Sequence, residues 1–155
     1  MNNSGQVLGI DGLKDKSYLA RCQKTLRSWG APFSGWTCKE IYDVRDDDWN
    51  APLHACELCG CTKVRYVHVM THPDYFEDVS VGCICAGIME GDILAAKDRE
   101  RLMRNRSKRK RSFPKRKWTR TTNGWSLTYH GEQILIGHSR HNPERLGVKY
   151  NGQCV

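Results

Sequence analysis

The sequence predicts an α+β protein, and three observations predict it. Cys56-Glu57-Leu58-Cys59-Gly60 is answered, after a strand-rich stretch, by Cys83-Ile84-Cys85. A dense Lys/Arg run then occupies Arg99 to Arg120. Beyond it the chain alternates apolar and polar residues between turn-forming dipeptides, the period of a small antiparallel sheet. Residues 1–50 read as an N-terminal helix plus a strand, 51–98 as a cysteine module, 99–117 as a basic helix and linker, and 118–155 as a β-rich tail.

The helix is expected over Lys16 to Trp29. Asp15 can cap it, Tyr18, Leu19, Cys22, Leu26 and Trp29 share one side, and Gly30 then Pro32 end it. Cys22 lies in the apolar stripe and reads as a small buried hydrophobe. Trp36 to Val44 has the aromatic and β-branched content of a strand, with Cys38 packed inside it. Asp46-Asp47-Asp48 reads as a solvated turn, because three consecutive acids cannot face one ion from a strand. Lys63 to Met70 and Val79 to Gly82 are strand candidates. A helical pattern opens near Cys85, with Gly87 and Gly91 interrupting it and Asp92 able to cap a fresh start. Pro114 stops any helix near Ser112. In the tail, Asn123-Gly124 predicts a type I′ hairpin turn between Trp118–Thr122 and Trp125–Tyr129. Ile134 to His138 and Leu146 to Tyr150 supply further strands.

Two pairs of closely spaced thiols suit a four-cysteine Zn²⁺ site, since this ion takes four soft ligands in a tetrahedron. Cys56, Cys59, Cys83 and Cys85 are the expected ligands of one structural Zn²⁺. Gly60 supplies the φ > 0 turn a knuckle requires. Knuckle, hairpin and a helix opening at the second pair is the layout of a treble clef. That fold usually carries C-x-x-C at the helix start, whereas this chain has C-x-C, so the backbone must curl there. Cys61 and His68 remain alternative fourth ligands. A disulfide framework needs an oxidising compartment. The opening Met1-Asn2-Asn3-Ser4-Gly5-Gln6 has neither a basic nor an apolar leader region, so a cytoplasmic protein with reduced thiols is expected. No apolar run approaches a membrane span. The mean hydropathy of −0.66 implies a lean core, to which a metal site can add about 10–16 kcal/mol.

The stretch Arg65-Tyr66-Val67-His68-Val69-Met70-Thr71-His72-Pro73-Asp74-Tyr75, followed by Val81-Gly82-Cys83-Ile84-Cys85-Ala86, resembles a family of small bacterial and phage proteins of treble-clef, zinc-ribbon-like type. The shared pattern is C-E-x-C-G, then R-[YF]-V-H-x-M-x-H-P, then V-G-C-x-C-A, with an Arg-rich helix and a Trp-led β tail. The resemblance spans roughly residues 35–137. It implies a common fold and brings no activity with it.

His68 invites a nuclease reading, because HNH enzymes place a general base at the end of a strand on a treble-clef frame. Such a site needs an Asn or His on the following helix. The segment from Cys85 to Met103 offers only Glu90, Asp92, Asp98 and Glu100. Pro73 disfavours helical geometry at His72, so His68 and His72 do not form a helical metal pair. A structural or nucleic-acid-contacting role for both histidines is expected.

The net charge of +8 is unevenly spread. Arg99 to Arg120 holds twelve Lys/Arg against the single acid Glu100, and the remainder is mildly acidic. Like charges so concentrated repel unless a polyanion neutralises them. Arg104, Arg106, Lys108, Arg109, Lys110, Arg111, Lys115, Arg116 and Lys117 are the expected phosphate contacts, and Trp118 can stack a base. The sequence thus predicts a non-catalytic, zinc-stabilised nucleic-acid-binding protein for DNA or RNA. A protein–protein adaptor with a structural zinc module is the alternative, and a degenerate HNH-type metal-dependent nuclease the third reading.

Overall fold

A computed structural model describes residues 15–155. The described chain is α+β, with three α-helices and two antiparallel sheets. It divides into two compact units, one running through Lys108 and the other from Arg109 to Val155.

In the first unit, helix α1 (Lys16–Ser28) starts where expected, with the Asp15 carboxylate accepting hydrogen bonds from the Ser17 and Tyr18 amides. Its apolar stripe buries Cys22 and Leu26. Strands β1 (Thr37–Asp43), β2 (Tyr66–Thr71) and β3 (Val79–Val81) form an antiparallel sheet in that order. The central strand β2 is buried on both faces from Tyr66 to Met70, so its apolar residues run without alternation. Trp36, Leu26, Met70, Ile88 and Met89 fill the core around it. The buried Trp36 indole satisfies its N–H on the Pro32 carbonyl at 2.8 Å and packs edge-on to Tyr75.

Helix α2 (Cys83–Glu90) begins two residues earlier than the sequence suggested, with Gly82 as its N-cap. Helix α3 (Ile93–Ser112) follows after Gly91, and Asp92 caps it through the Ala95 amide at 2.9 Å. A short 3₁₀ turn over Phe113–Lys115 contains Pro114, as the stop signal predicts.

Asp43 closes the far end of the β1–β2 pair. Both its oxygens accept from Arg65, at 2.9 and 2.8 Å, and the Arg65 guanidinium lies over the Trp49 ring. Burial alone would raise the Asp43 carboxyl, but the Arg65 and Arg45 donors overcome it and hold the pKa at about 2.

The second unit is a five-stranded meander: β4 (Thr119–Thr121), β5 (Gly124–Tyr129), β6 (Glu132–His138), β7 (Leu146–Tyr150) and β8 (Gln153–Cys154). The hairpin expected near Asn123-Gly124 is present, but its turn is not the type I′ anticipated. Thr121 pairs directly with Gly124, which places Thr122 and Asn123 at the bend and Gly124 inside the strand. Positive φ values at both central residues occur instead at His130-Gly131 (51° and 81°) and Asn151-Gly152 (46° and 82°). Gly124 has a different duty. A Cβ there would lie 1.9 Å from the Ile136 carbonyl oxygen of the adjacent strand.

Two predictions follow from this packing. Gly124→Ala should destabilise the meander by about 1–3 kcal/mol, the usual cost of forced overpacking, read as a lower Tm with α-helical signal retained. For Asp43, a depressed folded pKa means that the carboxylate stabilises above its ordinary value near 3.8 and ceases to as pH falls towards 2. The stability difference between the parent and Asp43→Asn should therefore shrink across that interval in denaturant titrations.

Candidate metal centre

The loop carrying Cys56 and Cys59 is pinched by a β-bridge between His54 and Val64, whose reciprocal backbone hydrogen bonds are 2.8 and 3.1 Å. Inside it the Cys56 amide donates to the Cys61 carbonyl and the Gly60 amide to the Cys56 carbonyl, both at 2.8 Å. Gly60 makes this possible at φ +75°. The Glu57 amide donates to the Ser80 carbonyl at 3.0 Å, and the Ser80 amide donates to the Glu57 carboxylate. The knuckle is thereby fixed to β3.

This frame brings the Sγ atoms of Cys56, Cys59 and Cys85 within 4.8 Å of one another. Zn–S bonds of about 2.3 Å place tetrahedral sulfurs about 3.8 Å apart, so the group can close on one ion. Cys56 and Cys85 are buried, whereas Cys59 is exposed. The Cys56 thiol is lowered to about 5, chiefly by its hydrogen bond with Cys85 and, against burial, by the amides of Cys59, Gly82 and Leu58. The shift favours the thiolate, the form a metal binds. Hydrogen bonds with Cys22 and Cys56, together with burial, push the Cys85 thiol up. The Tyr18 hydroxyl sits 2.9 Å from Cys85 Sγ, and burial with the neighbouring thiols raises its pKa.

Of the four cysteines expected to share one ion, Cys83 falls outside the group. The sequence reading placed Cys83 and Cys85 where an extended chain curls into a helix. The helix instead includes both, and residues two apart on an α-helix point about 200° apart around its axis. Cys83 joins His68 and Glu100 in a separate group whose ligand atoms also lie within 4.8 Å of one another. Cys61 is exposed and contributes its carbonyl to the knuckle. Cys22, expected to be only packing, lies in hydrogen-bonding contact with Cys85. Its apolar surroundings on α1 hid that neighbour, since the two cysteines are brought together only by tertiary packing. All eight cysteines are free thiols.

His72 is elsewhere, with its Nδ1 accepting from the Asp74 amide at 3.0 Å and its ring beside Trp36. His68 is fully buried, and of the four acids that the following segment offers, the structure brings Glu100 to it, with Oε2 3.5 Å from His68 Nε2. Burial and Glu100 raise the Cys83 thiol to about 12.

The Lys/Arg run is not electrostatically uniform. Arg99 is doubly paired with Glu90, Arg101 with Asp98, and Arg104 with Glu100. Arg104 also lies over the Tyr66 ring. Arg106, Lys108, Arg109, Lys110, Arg111, Lys115, Arg116 and Lys117 are exposed. Within the second unit Arg116 stacks over Tyr129 at 4.4 Å and Arg120 over Trp125 at 5.5 Å. Trp118 is half-buried and edge-on to Phe113. Pro114, Arg116, Lys117, Trp118, Trp125 and Ile136 line an open cavity of about 500 Å³.

Among the described residues, no helix is long and apolar enough to cross a membrane. Comparison with protein-family models, curated proteins and solved structures finds no match.

The positions of the thiols separate Cys22 from Cys61. If the thiol group holds a metal ion, Cys22→Ser should weaken its binding by at least the roughly 10–100-fold lost with an outer-shell partner. Cys61→Ser should leave affinity unchanged. Competition with a chromophoric chelator measures both.

Proposed function

We propose that this protein binds nucleic acid through its second unit, while a structural Zn²⁺ held by Cys56, Cys59, Cys85 and Cys22 stabilises the first. In this reading the first unit is a treble-clef variant, akin to the bacterial and phage family that its motifs resemble. Its fourth thiolate comes from α1 rather than from the C-x-C pair. Four thiolates leave no position for water, so this ion would have a folding role only.

One observation carries the nucleic-acid reading. From Arg109 onward there are ten Lys/Arg against the two acids Glu132 and Glu144, so this unit holds charge equal to that of the whole chain. The first unit is neutral by the same count. That excess surrounds exposed aromatic surface: Trp125 is 46% exposed and borders the cavity that Arg116, Lys117 and Trp118 also line. Cations for phosphates beside flat rings for bases is the combination that single-stranded nucleic acid requires. A rigid duplex offers its phosphates but not its base faces, which makes single strands the better match.

The adaptor reading draws on the same sheet. Leu146, Val148 and Tyr150 are exposed on β7, an apolar row of the kind a protein partner covers.

Fluorescence anisotropy with labelled oligonucleotides tests the proposal. Affinity for single strands should fall steeply with salt, by about 0.7 in log K per unit log salt for each phosphate engaged. Replacing Arg109, Arg116 and Lys117 by Ala should flatten that slope by about 2, one increment per lost contact. Trp125→Ala should cost about 1–3 kcal/mol on single strands and far less on duplex. Binding unchanged in both variants at every salt concentration would remove this function and leave the adaptor.

A further inference from the structure

We propose that His68, Cys83 and Glu100 form a second metal site, distinct from the cysteine centre, which holds Zn²⁺ with one coordination position open to exchange. The three residues come from different elements: His68 from the middle of β2, Cys83 from the first turn of α2 and Glu100 from α3. Their ligand atoms converge within 4.8 Å.

The geometry favours an ion over a simple His–Glu pair. His68 Nε2 and Glu100 Oε2 are 3.5 Å apart, too long for a good hydrogen bond. Ligands at about 2.0–2.3 Å from a tetrahedral Zn²⁺ lie about 3.3–3.8 Å from one another, a range that contains this distance. His68 is fully buried, and neither of its ring nitrogens has a hydrogen-bond partner. An unsatisfied buried polar atom costs about 1–3 kcal/mol, which a metal at Nε2 removes for that nitrogen.

The Glu100 carboxylate is already divided. Arg104 donates to Oε1 at 2.6 Å and, through its stacking on Tyr66, is itself held in place. Oε2 is left towards His68. One oxygen for the ion and the other for an outer donor is the usual support of a metal-bound carboxylate. Charge agrees as well. Zn²⁺ with one thiolate, one carboxylate and a neutral imidazole sums to zero, which suits a site with a fully buried histidine.

Three protein ligands leave the fourth position free, the distinction between an exchange-competent and a closed zinc site. Cys83 and Glu100 border a cavity of about 370 Å³, shared with Cys56, Cys59 and Cys85, whose wall also carries Lys63. The open position therefore suits water or a small oxyanion. This differs from the proposed cysteine centre, where Cys22 would join Cys56, Cys59 and Cys85 to close the shell.

The full-length protein, saturated with Zn²⁺ and freed of excess, should contain two metal ions per chain by elemental analysis. Glu100→Gln and His68→Gln should each contain one. Arg104→Ala should keep two but bind the second about 10–100-fold more weakly. One ion in the parent, lost in Cys56→Ser and kept in Glu100→Gln, would overturn this second site and leave the cysteine centre standing. Two ions retained in both Glu100→Gln and His68→Gln would overturn it also. Cobalt substitution of the parent protein needs no variant to fold. Visible bands of a mixed nitrogen–oxygen–sulfur set that shift on adding inorganic phosphate support the open site. Bands of a sulfur-only set, insensitive to phosphate, refute it.

Discussion

Three separate pieces of chain meet at Cys85. Cys56 approaches on the knuckle, Cys22 and Tyr18 on α1, and Cys85 itself is presented by α2. Three buried thiols and a phenol packed together are a poor hydrophobic core in their own right. Sulfur is soft and adaptable as filler, but partly ionised thiols repel one another at this distance. A divalent cation held there would turn that repulsion into cohesion. The remaining order of the first unit depends on where these groups sit, because the knuckle is tied to β3 through Glu57 and Ser80. The buried strand β2 is in turn paired with β3.

The two units manage charge differently. Within the first unit three arginines of α3 are spent on acids of their own unit: Arg99 on Glu90, Arg101 on Asp98 and Arg104 on Glu100. Exposed pairs of this kind add little stability. Arg99 and Glu90 are the exception, each largely shielded and joined through both ends of their forks. From Arg109 onward acids are scarce, and aromatic rings take the place of carboxylates beside Arg116 and Arg120. A guanidinium over a ring keeps its outward N–H groups available, which one clasped by a carboxylate does not.

Most of the secondary structure was legible because its signals are local. Asp15 capping α1, the break at Gly91 with Asp92 after it, and the halt at Pro114 depend on neighbours within four residues. The hairpin at residues 121–124 was legible as a hairpin but not in its geometry. Asn-Gly favours a type I′ turn, yet close approach of β6 claims Gly124 for the strand, a demand visible only across the sheet. The Asn151-Gly152 pair carried the same signal and does have the positive φ values. Cys56 and Cys59 were legible from spacing. Cys83 was not separable from Cys85 without knowing where α2 starts. Cys22 and Glu100 reach their neighbours through tertiary contacts that no local pattern encodes.

The hydrogen bond between Tyr18 and Cys85 joins residues 67 apart in sequence. Closing a loop of that length costs about 4 kcal/mol of chain entropy before any contact rewards it. The meander of the second unit faces no such barrier, since each of its strands pairs with its immediate neighbour in sequence. Low contact order of this kind folds quickly, whereas long-range closure is slow. During synthesis the ribosome releases α1 well before Cys85 exists, so Cys22 and Tyr18 must wait for the chain that completes their surroundings. Helix α1 can therefore dock fully only once α2 is in place, and its arrival brings Cys22 and Tyr18 against Cys85.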